Sequence, residues 1–201
     1  MLGIEPSPDF CRVLAETGLP HLRGTLVEMP PATHGTFDII FMSHVLEHFY
    51  EPKEALQQCR ALLAAGGILA VEVPKILKPF RSLDHYFLRY VHSSNFSPRT
   101  LQALLAKHGF RSLHTDEAGG DWRVPQNLFV IAEKHSEVGS KCLSVPGEAD
   151  RVLRALLNYR RKWRWRLGPK WHARGLVLAT RRLAGRLGRP IKRRLMGLGG
   201  E

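Results

Sequence analysis

A chain of 201 residues, 44% of them apolar, has room for one full domain and an appendage but not for two large domains. Its formal net charge of +12 sits almost wholly at one end. Residues 1–150 hold 14 Lys/Arg against 17 Asp/Glu, whereas residues 151–201 hold 16 Lys/Arg against Glu201 alone, so a partner inferred from charge is a partner of the tail. Three dispersed cysteines, Cys11, Cys59 and Cys142, exclude a disulfide framework and a cysteine metal knuckle. The first residues show no signal-peptide pattern, and no window approaches the ~20 apolar residues of a membrane span.

Met1 to Glu5 predicts a short apolar strand that ends in an acid. Pro6-Ser7-Pro8 breaks it, and Asp9 to Thr17 predicts a helix stopped by Gly18. Phe37 to Met42 is a near-continuous apolar run, the mark of a strand covered on both faces. A helix opened by Pro52 follows, with Ala55, Leu56, Cys59, Leu62 and Leu63 at helical spacing and Gly66-Gly67 as its stop. Ile68 to Val73 predicts a second buried strand, closed by Pro74. Residues 75–96 are irregular and aromatic, so Phe80, Tyr86, Phe87 and Tyr90 either wall an acceptor pocket or pack a lid. Ser97 and Pro98 cap a helix bearing Leu101, Leu104 and Leu105, and Gly109 ends it. Phe110 to Thr115 and Leu128 to Ala132 complete the strands. The alternation implies an α/β fold: a mostly parallel sheet with helices on both faces, ending in an antiparallel strand. The expected division is a domain over 1–135, a linker over 136–150 and a basic amphipathic helical tail over 151–201.

Four stretches stand in an informative order: Gly3-Ile4-Glu5-Pro6-Ser7; Phe37-Asp38-Ile39-Ile40 with Ser43-His44-Val45-Leu46-Glu47-His48 and Glu51-Pro52; Leu63-Ala64-Ala65-Gly66-Gly67-Ile68-Leu69; and His92 with Asn95-Phe96-Ser97, Thr100-Leu101 and Gly109-Phe110. Over about residues 1–134 the chain resembles the class I S-adenosylmethionine-dependent methyltransferase family. The resemblance implies a Rossmann-like fold and S-adenosylmethionine as cofactor. It also implies that Glu5 holds the ribose hydroxyls, because a carboxylate accepts from both at once. Thr25 and Leu26 fall where the family often has an acid facing adenine. Ser43 and His44 fall in the loop that lines the methionine end, where backbone contacts are expected. Two departures stand out. Thr25 replaces that acid, and no glycine-rich pattern precedes Glu5. The resemblance is therefore to an N-terminally incomplete domain that lacks the family's central first strand. A truncated chain, another segment in the gap, or a lost cofactor site would each account for that.

Methyl transfer to a hydroxyl gains from a base, and histidine is the side chain best matched to neutral pH. His48, His85 and His92 lie in loops expected near the strand ends; His92 is the first choice and His48 the second. The string His44-Val45-Leu46-Glu47-His48 also matches the H-x-x-E-H zinc-hydrolase pattern. That chemistry needs both histidines one turn apart on a helix, whereas this string leaves a buried strand, so no metal site is expected.

In the tail, Val152, Leu156, Tyr159, Trp163 and Leu167 recur at helical spacing among Arg154, Arg160, Arg161 and Arg164. Leu176, Thr180, Leu183 and Leu187 form a second stripe. Such basic amphipathic helices suit an anionic membrane surface, with nucleic acid as the lesser alternative. The chain is expected in the cytoplasm, peripheral to the inner face of a membrane. The expected activity is methyl transfer to a small-molecule or glycan-type acceptor, an expectation that rests on analogy. Its rivals are a non-catalytic binding module and an RNA methyltransferase that uses the tail. The oligomeric state is not legible.

Overall fold

A computed structural model describes residues 1–88, 92–117, 123, 125–135, 144–170 and 172–173. In chain order the elements are β1 (Gly3–Glu5), α1 (Pro8–Glu16), β2 (His21–Arg23), β3 (Phe37–Ser43), α2 (Pro52–Leu62), β4 (Leu63–Pro74), α3 (Pro98–Lys107), β5 (Phe110–Asp116), β6 (Asn127–Lys134) and α4 (Glu148–Lys162). Strands β1 and β2 form a parallel pair, and the remaining four form a sheet in the order β3-β4-β6-β5. The β3 and β4 strands are parallel, and β6 runs antiparallel to both of its neighbours. The fold is thus the expected α/β type with a mostly parallel sheet. The antiparallel strand is the last in the chain, as expected, and it lies between β4 and β5.

Alternation along the strands decides which face is covered. Met42, Leu69, Val71, Val73, Leu128, Val130 and Ala132 point to one face, where Ala55, Leu56 and Cys59 of α2 and Leu101 and Leu105 of α3 close over them in one buried cluster. On the opposite face Ile39 and Phe41 of β3 remain 65% and 61% exposed, and the Phe41 ring meets Phe129 edge to face at 6.4 Å. The β1 and β3 strands border a common cleft, so β1-to-β2 and β3-to-β4 wind away from each other.

Three local readings change in the folded chain. Gly66-Gly67 does not end a helix: α2 stops at Leu62, and Leu63 already pairs with Phe37 in the sheet. The glycines instead form an irregularity inside β4, where Phe37 pairs with Leu63 but Ile39 pairs with Ile68. Gly66 takes φ +71°, and a Cβ on Gly67 would lie 3.1 Å from the Ala64 carbonyl oxygen, so both positions suit glycine. The β2 strand, only three residues long, is too short to show periodicity. Finally, Phe80, Leu83 and Phe87 make a second small core packed against Leu156 and Tyr159 of α4. The aromatic segment therefore seats the first tail helix, and the Tyr159 hydroxyl donates to the Arg81 carbonyl at 2.8 Å. Tyr90, Cys142 and the stripe from Leu176 to Leu187 lie outside the described residues.

Candidate functional site

The site begins where β3 ends. Its last residue, Ser43, donates from Oγ to Glu72 Oε2 at 2.8 Å, and Asn127 Nδ2 donates to Glu72 Oε1 at 2.6 Å. One carboxylate thereby ties together the ends of β3, β4 and β6. These two hydrogen bonds, Ser43 first, hold Glu72 below the usual carboxylate range. His44 follows at φ 53°, a conformation that costs a non-glycine residue free energy and recurs at functional loops. Its N–H donates to the Glu72 carbonyl at 2.9 Å. The kink turns the chain into a single 3-10 turn, Leu46–His48, in which Leu46 enters the core and Glu47 is 2% exposed.

Glu47 is the centre of the arrangement. His44 Nδ1 lies 3.4 Å and His48 Nε2 3.9 Å from its Oε1. The Ser94 N–H donates to the Glu47 carbonyl at 3.1 Å, which brings in the segment carrying His92. The His48 and His92 rings meet edge to face with centroids 4.9 Å apart. Burial lowers His92 below the usual histidine range, and the Glu47 carboxylate opposes that shift.

A cleft of about 770 Å³ is lined by Ile4 and Glu5 of β1, by Thr25 and Leu26 after β2, by Phe41 of β3, and by His44 and His48. Its size falls in the range of small-molecule sites. Glu5 and the Ser43–His48 loop therefore converge on one cleft, as does the Thr25–Leu26 segment. Ser43 is not among the lining residues; its hydroxyl is engaged by Glu72. Thr25 is held by Glu28, whose Oε2 accepts from Thr25 N at 2.5 Å and from Thr25 Oγ1 at 2.9 Å. His85 lies in the turn Leu83–Phe87 and is not among the lining residues. Cys59 is no nucleophile: burial pushes its thiol up to about 12.

Sequence reasoning missed Glu72 and left Glu47 out of the site. A charged residue inside the apolar run Val71-Glu72-Val73 is a signal that was present. For Glu47 the H-x-x-E-H string was seen, but nothing in it shows that His92 would arrive beside it.

The donors fit the cofactor of the resembled family. A carboxylate stands at the end of β1, apolar side chains flank it, and a kinked backbone stands at the end of β3. A family model described as a methyltransferase domain matches residues 1–115. The chain is 25% identical over 126 residues to the C-methyltransferase NovU of Streptomyces niveus, covering 60% of this chain and 30% of that protein. It is 23% identical over 154 residues to the ubiquinone biosynthesis O-methyltransferase of Vibrio parahaemolyticus, covering 68% and 65%. The chain thus spans less than two thirds of either curated relative. Its fold superposes with TM-score 0.55 and 16% identity on the 1,6-didemethyltoxoflavin-N1-methyltransferase of Burkholderia thailandensis, solved with S-adenosylhomocysteine, over 67% of this chain and 61% of that one. Since the family model takes in more than half of the chain, and the strand order and cleft agree with it, the chain belongs to the class I S-adenosylmethionine-dependent methyltransferases.

Proposed function

We propose that the chain binds S-adenosylmethionine in the cleft between β1 and β3 and positions a small-molecule or glycan-type acceptor against it for methyl transfer. The convergence of Glu5 and the His44–His48 loop on one cleft carries this reading. The cofactor supplies an electrophilic methyl group on a sulfonium, so the protein's work is alignment and management of the acceptor's proton. Glu5 sits where a carboxylate accepts from two ribose hydroxyls, and the Ser7 N–H at 2.7 Å from its Oε1 holds it in place. Thr25 and Leu26 border the base end, and the backbone of Ser43 and His44 borders the methionine end. His44 and His48 line the same cleft, with Glu47 beside both imidazoles and His92 against the His48 ring. There the histidines stabilise an acceptor oxygen as its proton leaves, with His48 as the side chain that touches the acceptor and His92, the base first expected, acting through the His48 ring. The two curated relatives act by name at carbon and at oxygen, and the imidazole cluster favours oxygen here.

Isothermal titration of the purified chain with S-adenosylhomocysteine tests the reading. Saturable one-to-one binding is expected, and Glu5→Gln should weaken it about tenfold, the loss of a charged hydrogen bond. Absence of binding by the unaltered chain would overturn the reading and leave a non-catalytic module.

For the tail, the reading is attachment to an anionic membrane surface. Leu153, Leu157 and Trp165 are 55%, 49% and 72% exposed beside the exposed Arg154, Arg161 and Arg164, an apolar and basic face turned away from the domain. No helix among the described residues is long and apolar enough to cross a membrane. Salt-sensitive flotation with phosphatidylserine vesicles supports this attachment, and a salt-sensitive gel shift with RNA but no flotation overturns it.

A further inference from the structure

We propose that Glu47, His48 and His92 bind one divalent first-row transition-metal cation beside the cleft. Glu47 is 2% exposed, and neither of its carboxylate oxygens has a hydrogen-bond partner. A buried carboxylate without partners is strongly disfavoured unless a positive charge compensates it. The imidazole nitrogens of His44 and His48 stand 3.4 and 3.9 Å from Glu47 Oε1, longer than the ~2.7–2.9 Å of a charged hydrogen bond. Donors that share one cation at ~2.1 Å lie about 3.0–3.4 Å from each other, so the 3.9 Å between His48 Nε2 and Glu47 Oε1 closes to that spacing with a small ring rotation. Donor atoms of Glu47, His48 and His92 all lie within 4.8 Å of one another. His92 Nδ1 is buried and has no hydrogen-bond partner.

The donor set selects the class of ion. Two imidazoles with one carboxylate suit zinc, cobalt, iron or manganese, whereas magnesium and calcium prefer all-oxygen surroundings. This is not the zinc-hydrolase arrangement. Val45 takes φ −124° and ψ −45°, and only Leu46–His48 is helical, so His44 and His48 do not occupy successive turns of a helix. Glu47 here is a ligand, and the third donor comes from a segment 44 residues later in the chain. His44 and His48 also line the cleft, so the cation has one side toward bound molecules, where an acceptor hydroxyl could coordinate and lose its proton more readily.

The full chain, stripped with a chelator and dialysed, is titrated with Co²⁺ and followed by its visible absorption, then competed with Zn²⁺. One equivalent of Co²⁺ with a tetrahedral or five-coordinate spectrum is expected. Glu47→Gln and His92→Asn should each weaken binding about tenfold or more, and His114→Asn, on exposed β5, should leave it unchanged. Circular dichroism melts without metal check that each variant folds. If the unaltered chain takes up no stoichiometric metal, or if folded Glu47→Gln and His92→Asn bind as well as the parent, the site does not exist. The inference goes beyond methyl transfer. Binding of S-adenosylhomocysteine without metal uptake sinks the metal site alone, and metal uptake without S-adenosylhomocysteine binding sinks only the methyl-transfer reading.

Discussion

Two glutamates at the ends of neighbouring elements show how partners decide a residue's role. Glu72 accepts from Ser43 and Asn127, and its carboxyl is held low. Its contribution is therefore fully present above the ordinary carboxylate value and is lost as pH falls through the lowered one. Glu72→Gln should flatten the acid limb of stability, seen as a smaller drop in Tm than the parent shows between about pH 5 and about pH 3. An unchanged pH dependence would mean that the two hydrogen bonds do not favour the charged form. Glu47, more deeply buried than the half-buried Glu72, has no such donors. In the chain Glu72 stands between two valines, and Glu47 between Leu46 and His48. Only the approach of Ser43 and Asn127 to one, and of the His92 segment to the other, gives the two acids their different surroundings.

At the scale of elements, local rules carried far where they acted within one turn. The third helix opens as its chemistry dictates: Ser97 Oγ accepts from Thr100 N at 3.2 Å, and Thr100 Oγ1 accepts from Ser97 N at 2.9 Å. Ser97→Ala should cost about 1 kcal/mol and lower Tm by about 2–4 °C for a chain of this size. The same rules failed at Gly66-Gly67, because a glycine pair serves a helix stop and a strand irregularity equally well, and the partner strand β3 makes the choice. They also failed for the aromatic segment, whose rings face α4. Phe87, 1% exposed beside Phe80 and Leu83, should cost about 3 kcal/mol or more when changed to alanine. The sharper readout is limited proteolysis: Phe87→Ala should expose the arginine-rich α4 to trypsin well before the rest of the domain. Equal cleavage in both proteins would show that α4 does not depend on this contact.

Across the whole molecule, the uncovered side of β3 is the feature with most consequence. Among the described residues no strand pairs with β3 on its outer edge, and Ile39 and Phe41 stand exposed on the face of the same strand opposite the core. An apolar strand edge of this kind favours association with other chains. Light scattering should find concentration-dependent association, and Ile39→Lys should reduce it by putting a charge on the exposed surface. Monodisperse behaviour of the unaltered chain at high concentration would contradict this.

The sequence by itself determined the α/β class, most strands and helices, the family, and the segregation of charge into the tail. These depend on short-range periodicity, capping and turn chemistry, which neighbours within about a turn enforce. Tertiary structure alone decided that β6 enters between β4 and β5, that the aromatic segment holds α4, and that His92 meets Glu47 and His48. Each of these unites residues tens of positions apart. No local pattern encodes which of several compatible partners a buried face or an unpaired carboxylate will find, and the packing of the whole chain supplies that choice.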